Sequence, residues 1–104
     1  MNPKKVKAMA AALKRKGFRQ DDSHHKYFIL YVNGQKTSVR TRLSRGIAEY
    51  GSSLLTQVRK QLHLSRHQFD DLIECPMSAE DYVQHLLDAG FVTIDNSVAR
   101  GKNS

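Results

Sequence analysis

An α+β fold is what this sequence predicts: a helix, a three-stranded antiparallel sheet and a second helix, followed by two additional C-terminal helices. Three observations carry the expectation. Apolar residues recur at helical spacing toward both ends of the chain and alternate with polar ones in the middle. The dipeptide Asn33-Gly34 separates two strand-like runs and accepts the positive φ angles of a type I′ hairpin turn. Past the sheet, Ser65 and Ser78 each stand three residues before a Gln or an Asp, the arrangement that caps a helix start.

The first helix is set by Val6, Met9, Ala10 and Leu13, which fall on one stripe at the i, i+3, i+4, i+7 spacing. Asn2-Pro3 supplies a cap followed by a proline whose fixed φ suits the first helical position, and Gly17 ends the helix. Lys4, Lys5, Lys7, Lys14, Arg15 and Lys16 take the remaining surface, so the helix should pack on one side and offer cations on the other. Phe18 to Gln20 is a short strand and Asp21-Asp22-Ser23 a turn, because short oxygen-bearing side chains bond nearby amides.

His25 to Val32, rich in aromatic and β-branched residues, is the next strand, and Gln35 to Leu43 returns as its partner. Alternation on the return strand puts Thr37, Val39, Thr41 and Leu43 on one face and Lys36, Ser38, Arg40 and Arg42 on the other. One sheet face is therefore basic. The preceding strand divides into His25, Tyr27, Ile29 and Tyr31 against His24, Lys26, Phe28, Leu30 and Val32; Phe28, Leu30 and Val32 have the character of a core set.

Ser44 to Gly51 reads as a loop, and from Ser52 the stripe Leu54, Leu55, Val58 and Leu62 makes a helix. Phe69, Leu72 and Ile73 follow the Ser65 cap, and Tyr82, Val83, Leu86 and Leu87 follow Ser78 before Gly90. Phe91, Val92 and Ile94 form a short strand or a docking segment, while Asp95 to Ser104 is polar and expected to fray. The expected organisation is a core over 1–64, a helical extension over 65–94 packed on the same core, and a flexible tail over 95–104. The acids of that extension could cap the basic face, bind a partner or mediate self-association, and its apolar residues suit enlargement of the core.

A chain of 104 residues with 39% apolar content can fill one modest core. It contains no apolar run of the roughly 18 residues a membrane span needs, and its first residues are too charged for a signal peptide's apolar core, so a soluble, cytoplasmic protein is expected. The single cysteine, Cys75, cannot close an intrachain disulfide. His63 and His67 have the i, i+4 separation of helical zinc ligands, but the cap at Ser65 puts them on different elements, so no metal site is expected. No glycine-rich phosphate loop is present, and no cofactor is implied.

The net charge of +7 is unevenly spread: Met1 to Tyr50 carries twelve Lys or Arg against three acids, and Gly51 to Ser104 five against seven. A basic half-domain attracts a polyanion through phosphate contacts and counterion release, which makes nucleic acid the expected partner. His24 and His25 stand at the edge of the basic sheet. A neutral imidazole can take a proton near neutral pH and return it, which is what attack of a ribose 2′-hydroxyl on its neighbouring phosphate requires. Arg40 and Arg42 on the adjacent strand would stabilise the developing phosphorane charge. Residue type alone equally accommodates two solvent-exposed strand histidines.

The order of these residues resembles the HicA family of bacterial toxins. The resemblance rests on a helix ending at Lys16-Gly17-Phe18, a short strand, Ser23-His24-His25 before an aromatic strand, the Asn33-Gly34 hairpin, and "LLTQVRKQLHLS" from Leu54 to Ser65. It spans about Val6 to Ser65. It implies a messenger-RNA ribonuclease with a double-stranded-RNA-binding-domain-like fold, neutralised by a HicB-type antitoxin that covers the active site. In the family's Gly-Ser-x-His motif the last histidine is catalytic, which assigns that role to His25 and leaves His24 at the variable position. Asp22 stands where the family has glycine, and the proline and histidine that often follow its third strand have no match in "VRTRLSRG" from Val39 to Gly46. Phosphate contacts therefore fall to His24, Lys26, Arg40, Arg42 and Arg45. Two rival functions share these features: an RNA-binding module without turnover, and a protein-interaction subunit that docks through its acidic helices.

Overall fold

The computed structural model describes residues 3–22, 26–44, 46–74 and 76–93. Elements follow in the order β1 (Lys4–Lys5), α1 (Val6–Arg15), β2 (Phe18–Asp21), β3 (Tyr27–Val32), β4 (Gln35–Arg42), β5 (Glu49–Tyr50), α2 (Ser52–Gln61), α3 (Arg66–Glu74) and α4 (Ala79–Ala89). This is a mixed α+β fold in which β2, β3 and β4 form a three-stranded antiparallel sheet with β3 at its centre. No helix among the described residues is long and apolar enough to cross a membrane.

The stripe Val6, Met9, Ala10 and Leu13 is buried, as is Ala12. Helix α1 ends where Gly17 takes φ +100°, a left-handed angle that favours glycine, and the Gly17 carbonyl accepts the Tyr31 amide at 3.1 Å. The start of α1 differs from expectation. Asn2 lies outside the described residues, and the helix begins only at Val6, after Lys4 and Lys5 have paired with Tyr50 and Glu49. The Val6 amide donates to the Ala48 carbonyl at 2.9 Å, so the returning chain satisfies a helix-start amide without a side-chain cap. The segment read as a loop thus contributes β5.

Two of the cations assigned to the open surface of α1 are buried instead, Lys4 at 9% and Lys16 at 6% exposure. Helix α3 packs against α1, bringing Asp70 and Glu74 to 3.0 and 3.2 Å from Lys4 Nζ, and that ammonium also lies 5.9 Å from the centre of the Phe69 ring. Burial acts to lower the Lys4 pKa, but hydrogen bonding and attraction from Asp70 and Glu74 outweigh it and raise it. Lys16 Nζ donates to the Met77 carbonyl between α3 and α4.

In the β3–β4 hairpin, Asn33 and Gly34 take φ 52° and 79°, as a type I′ turn requires. Tyr27 pairs with Arg42, Ile29 with Arg40 and Tyr31 with Lys36. Between the last two pairs β3 advances two residues while β4 advances four, and Thr37 fills the irregularity by donating to the Leu30 carbonyl at 2.8 Å. An even excess preserves the alternation. Val39, Thr41 and Leu43 are therefore buried and Thr37 half-buried, while Lys36, Ser38, Arg40 and Arg42 are exposed.

Phe18, Phe28, Leu30, Val32, Val39 and Leu43 join apolar residues of all four helices in one continuous core. The turn after α2 anchors the C-terminal helices: the carbonyls of Leu62, His63 and Leu64 accept from Tyr82 Oη at 2.9 Å, His85 Nε2 at 2.8 Å and Arg59 Nη1 at 3.0 Å. A carbonyl only accepts, so the His85 proton resides on Nε2. Tyr82 also stacks on Phe18, with ring centres 5.9 Å apart. Reciprocal caps join Ser65 to Gln68 and Ser78 to Asp81, and Gly90 closes α4 at φ 81°. Residues 94–104, including Ile94 and the expected tail, lie outside the described residues, as does Cys75.

The Lys4 site makes an asymmetric prediction. The double substitution Asp70→Asn, Glu74→Gln leaves a buried ammonium without a counter-charge and should cost about 2–3 kcal/mol. Lys4→Met leaves Glu74, which reaches water, and Asp70, whose Oδ1 alone is buried, and should cost less, about 1 kcal/mol. Urea unfolding of the two variants measures the order, and equal losses would contradict this account.

Candidate functional site

The face of the sheet turned away from the core is assembled by alternation from β2, β3 and β4. Arg19 and Asp21 come from β2, Tyr27, Ile29 and Tyr31 from β3, and Lys36, Ser38, Arg40 and Arg42 from β4. Pairing aligns Asp21, Tyr27 and Arg42 in one row across the strands and Arg19, Ile29 and Arg40 in the next. Four cations and one acid thus share a face with two half-buried tyrosines.

Ile29 is only 3% exposed yet stands apart from the core cluster. Its cross-strand neighbours, Arg19 and Arg40, can lay their aliphatic stems along it while their guanidinium heads stay in water. The Arg19 guanidinium lies 4.1 Å from the centre of the Tyr31 ring, a cation–π contact.

Strand β4 is a sheet edge, and its hydrogen-bond phase aims its backbone. The Leu43 amide donates to the Lys26 carbonyl at 3.0 Å, which makes 26 and 43 a hydrogen-bonded pair in the register of the hairpin. Such pairs alternate along an antiparallel ladder, so Arg40 and Arg42 form non-hydrogen-bonded pairs with Ile29 and Tyr27. Their own backbone amides and carbonyls point to the open edge. Side chains at such pairs also stand closer together.

Between that edge and α2 lies a hollow of about 420 Å³ lined by Tyr27, Arg40, Arg42, Ser44, Gln57 and Gln61 among others. Thr41 Oγ1 donates to Gln61 Oε1 at 2.6 Å, fixing α2 beside the strand, and the Ser44 amide donates to Tyr50 Oη at 2.7 Å. A second hollow of about 680 Å³ shares Ser44 and is bordered by Lys5, Lys7, Lys26, Ile47 and Glu49. A cationic tract therefore runs from Lys5 and Lys7 past Lys26 and Ser44 to Arg42 and Arg40, continuing across the sheet to Arg19. Such a surface can pair with anions along its length and stack planar groups at its centre.

Of the residues singled out in the sequence, Arg40 and Arg42 come together on the open face and in the first hollow, and Lys26 lies in the adjoining one. His24, His25 and Arg45 lie outside the described residues. The described residues resume at Lys26, which lines the second hollow, next to Tyr27, which lines the first. Arg19, Tyr31, Lys5 and Lys7 were not among the candidates. Strand alternation already grouped Tyr27, Ile29 and Tyr31; their assignment to the open face needed the positions of Phe28, Leu30 and Val32 in the core.

His63 and His67 do not converge. His67 Nε2 lies 3.4 Å from Asp71 Oδ2 at the surface, whereas His63, at φ 62°, stacks on Phe91 with ring centres 3.8 Å apart. Burial, and then the nearby His85, lower the His63 pKa below its ordinary value. Comparison with protein-family models, curated proteins and solved structures gave no match to this chain.

The His63 shift has a defined sign. Because the folded state binds this proton less readily than the unfolded chain, protonation of the unfolded form draws stability down as pH falls below about 6.5. His63→Asn keeps a residue that tolerates a left-handed backbone and removes the titration. Its urea midpoint should fall less than that of the unaltered chain between about pH 7.5 and pH 5.5; parallel declines would exclude His63 as the source.

Proposed function

We propose that this chain is a HicA-like, metal-independent endoribonuclease acting on messenger RNA. The observation that carries the proposal is the cationic tract through Lys26, Arg42 and Arg40, which meets the chain directly after Ser23-His24-His25. The order α1, β2, β3, β4, α2 is consistent with a double-stranded-RNA-binding-domain-like core, to which α3 and α4 are an extension. A HicB-type antitoxin covering this surface is part of the same proposal.

In this mechanism His25 removes the proton of a ribose 2′-hydroxyl. The oxygen attacks the adjacent phosphorus, a bond to O2′ forms, and the bond to O5′ breaks as the departing oxygen takes a proton from solvent water, the proton held by His25 then returning to solvent. A cyclic 2′,3′-phosphate and a 5′-hydroxyl result. Arg40 and Arg42 neutralise the charge gathering on the phosphorane, while Lys26, His24 and Arg45 hold neighbouring phosphates.

Binding without turnover is the second reading, favoured by the outer sheet face, whose arginines and tyrosines are set side by side by strand alternation and pairing. Docking through acidic helices has less support. Asp70 and Glu74 pair with Lys4, Asp71 with His67, Asp81 caps α4, and Asp88 accepts from Gln84 at 2.8 Å, so most acids of α3 and α4 already have partners within the chain.

Incubated with single-stranded RNA in EDTA, the unaltered protein should release fragments with cyclic phosphate ends and His25→Ala should release none. An inactive unaltered chain, or an equally active variant, would end the enzymatic proposal. Arg40→Ala and Arg42→Ala should each weaken RNA binding and lower the slope of log affinity against log salt by about one. Unchanged slopes would remove these arginines from the phosphate contacts.

A further inference from the structure

We infer that the open face of the sheet is a stacking platform for unpaired RNA bases, built by Tyr27 and Tyr31 with the guanidinium of Arg19. The inference rests on the RNA-binding part of the proposed function and specifies the form of RNA recognised. Phosphates alone would be met by lysines and arginines anywhere along the cationic tract. Two aromatic rings set among them on the central strand serve a different purpose, because a ring attracts the flat face of a base and carries no charge of its own.

The geometry suits a short single strand. Tyr27 and Tyr31 are four residues apart on one side of β3, about 13 Å at the rise of a strand, with Ile29 filling the floor between them. The Arg19 head over Tyr31 adds a second planar group on which a base can stack. On the other flank, Arg42 stands beside Tyr27 and Arg40 beside Ile29, so backbone phosphates would follow β4 while bases lie over β3. A duplex cannot use this arrangement, since its base faces are occupied by each other. Bases already splayed apart can.

The tyrosines supply their own reporter. The chain has four tyrosines and no tryptophan, and Tyr50 and Tyr82 are buried at 2% and 0% exposure, so a bound base can reach only Tyr27 and Tyr31. In the His25→Ala protein, which leaves RNA intact, three probes of matched length are compared: a single-stranded RNA, the same strand with abasic positions, and its duplex. The intact single strand should quench tyrosine emission and bind roughly tenfold or more tightly than the abasic strand, with neither abasic strand nor duplex quenching. Tyr31→Leu should lose a similar factor for the intact strand alone while keeping the salt slope of binding, since no phosphate contact is removed.

Equal binding of intact and abasic strands with steep salt dependence would overturn the platform and leave RNA binding standing. Absence of binding to any of the three would overturn both. The abasic comparison uses unaltered tyrosines, so it decides the matter even if a Tyr31 variant fails to fold.

Discussion

The type I′ turn at Asn33 and Gly34 decides which side chains of β3 and β4 meet the core and which meet water. On one side lie Phe28, Leu30, Val39 and Leu43; on the other lie Tyr27, Tyr31, Arg40 and Arg42. A shift of one residue would drive Lys36, Arg40 and Arg42 into an apolar interior, where an unpaired cation costs several kcal/mol. The hairpin nonetheless contains an irregularity. It is tolerated because the excess on β4 is two residues, which keeps every side chain on its proper face, and because Thr37 satisfies the Leu30 carbonyl there. The basic face and the core are thus two consequences of one register.

The C-terminal helices act on the charge pattern as much as on the core. By covering one flank of α1, α3 and the segment after it withdraw Lys4 and Lys16 from solvent and engage Asp70 and Glu74. Of the cations left accessible near the sheet, Lys5, Lys7, Lys26, Arg40 and Arg42 border the two adjoining hollows. Three successive carbonyls after α2, each bonded by a side chain, hold this arrangement together; two of those donors come from α4. Burial pushes the Tyr82 hydroxyl far above its ordinary pKa, so it stays a proton donor to Leu62.

How much of this was legible in the sequence depended on the range of the interaction. Local signals were sufficient for the hairpin, for the caps at Ser65 and Ser78, and for the alternation that exposes Arg40 and Arg42. Pairing of Lys4–Lys5 with Glu49–Tyr50 joins distant dipeptides too short to have any periodicity, so it left no trace. The amphipathic stripe of α1 identified its buried side but not the partner arriving on its flank, which is why Lys4 and Lys16 read as surface cations. In the site, residue type and alternation found Arg40 and Arg42, whereas the stack of Arg19 on Tyr31 depends on the register between β2 and β3. Local pattern cannot supply a cross-strand neighbour.

The same separation of ranges bears on catalysis under the proposed function. A single imidazole contributes about 10²- to 10⁴-fold through proton transfer, so useful turnover needs charge stabilisation and orientation from elsewhere in the fold. Arg40 and Arg42 occupy the edge strand, where their side chains face the open sheet and their backbone faces the first hollow, and α2 is fixed alongside by Thr41 and Gln61. Their positions are therefore set by strand pairing within the sheet. Under the proposed function, phosphate binding then belongs to the sheet itself, whose register is fixed by the pairing of β3 with β4. Under that reading the arginines would still offer their charge to RNA when the histidine is replaced, because strand pairing places them on the sheet.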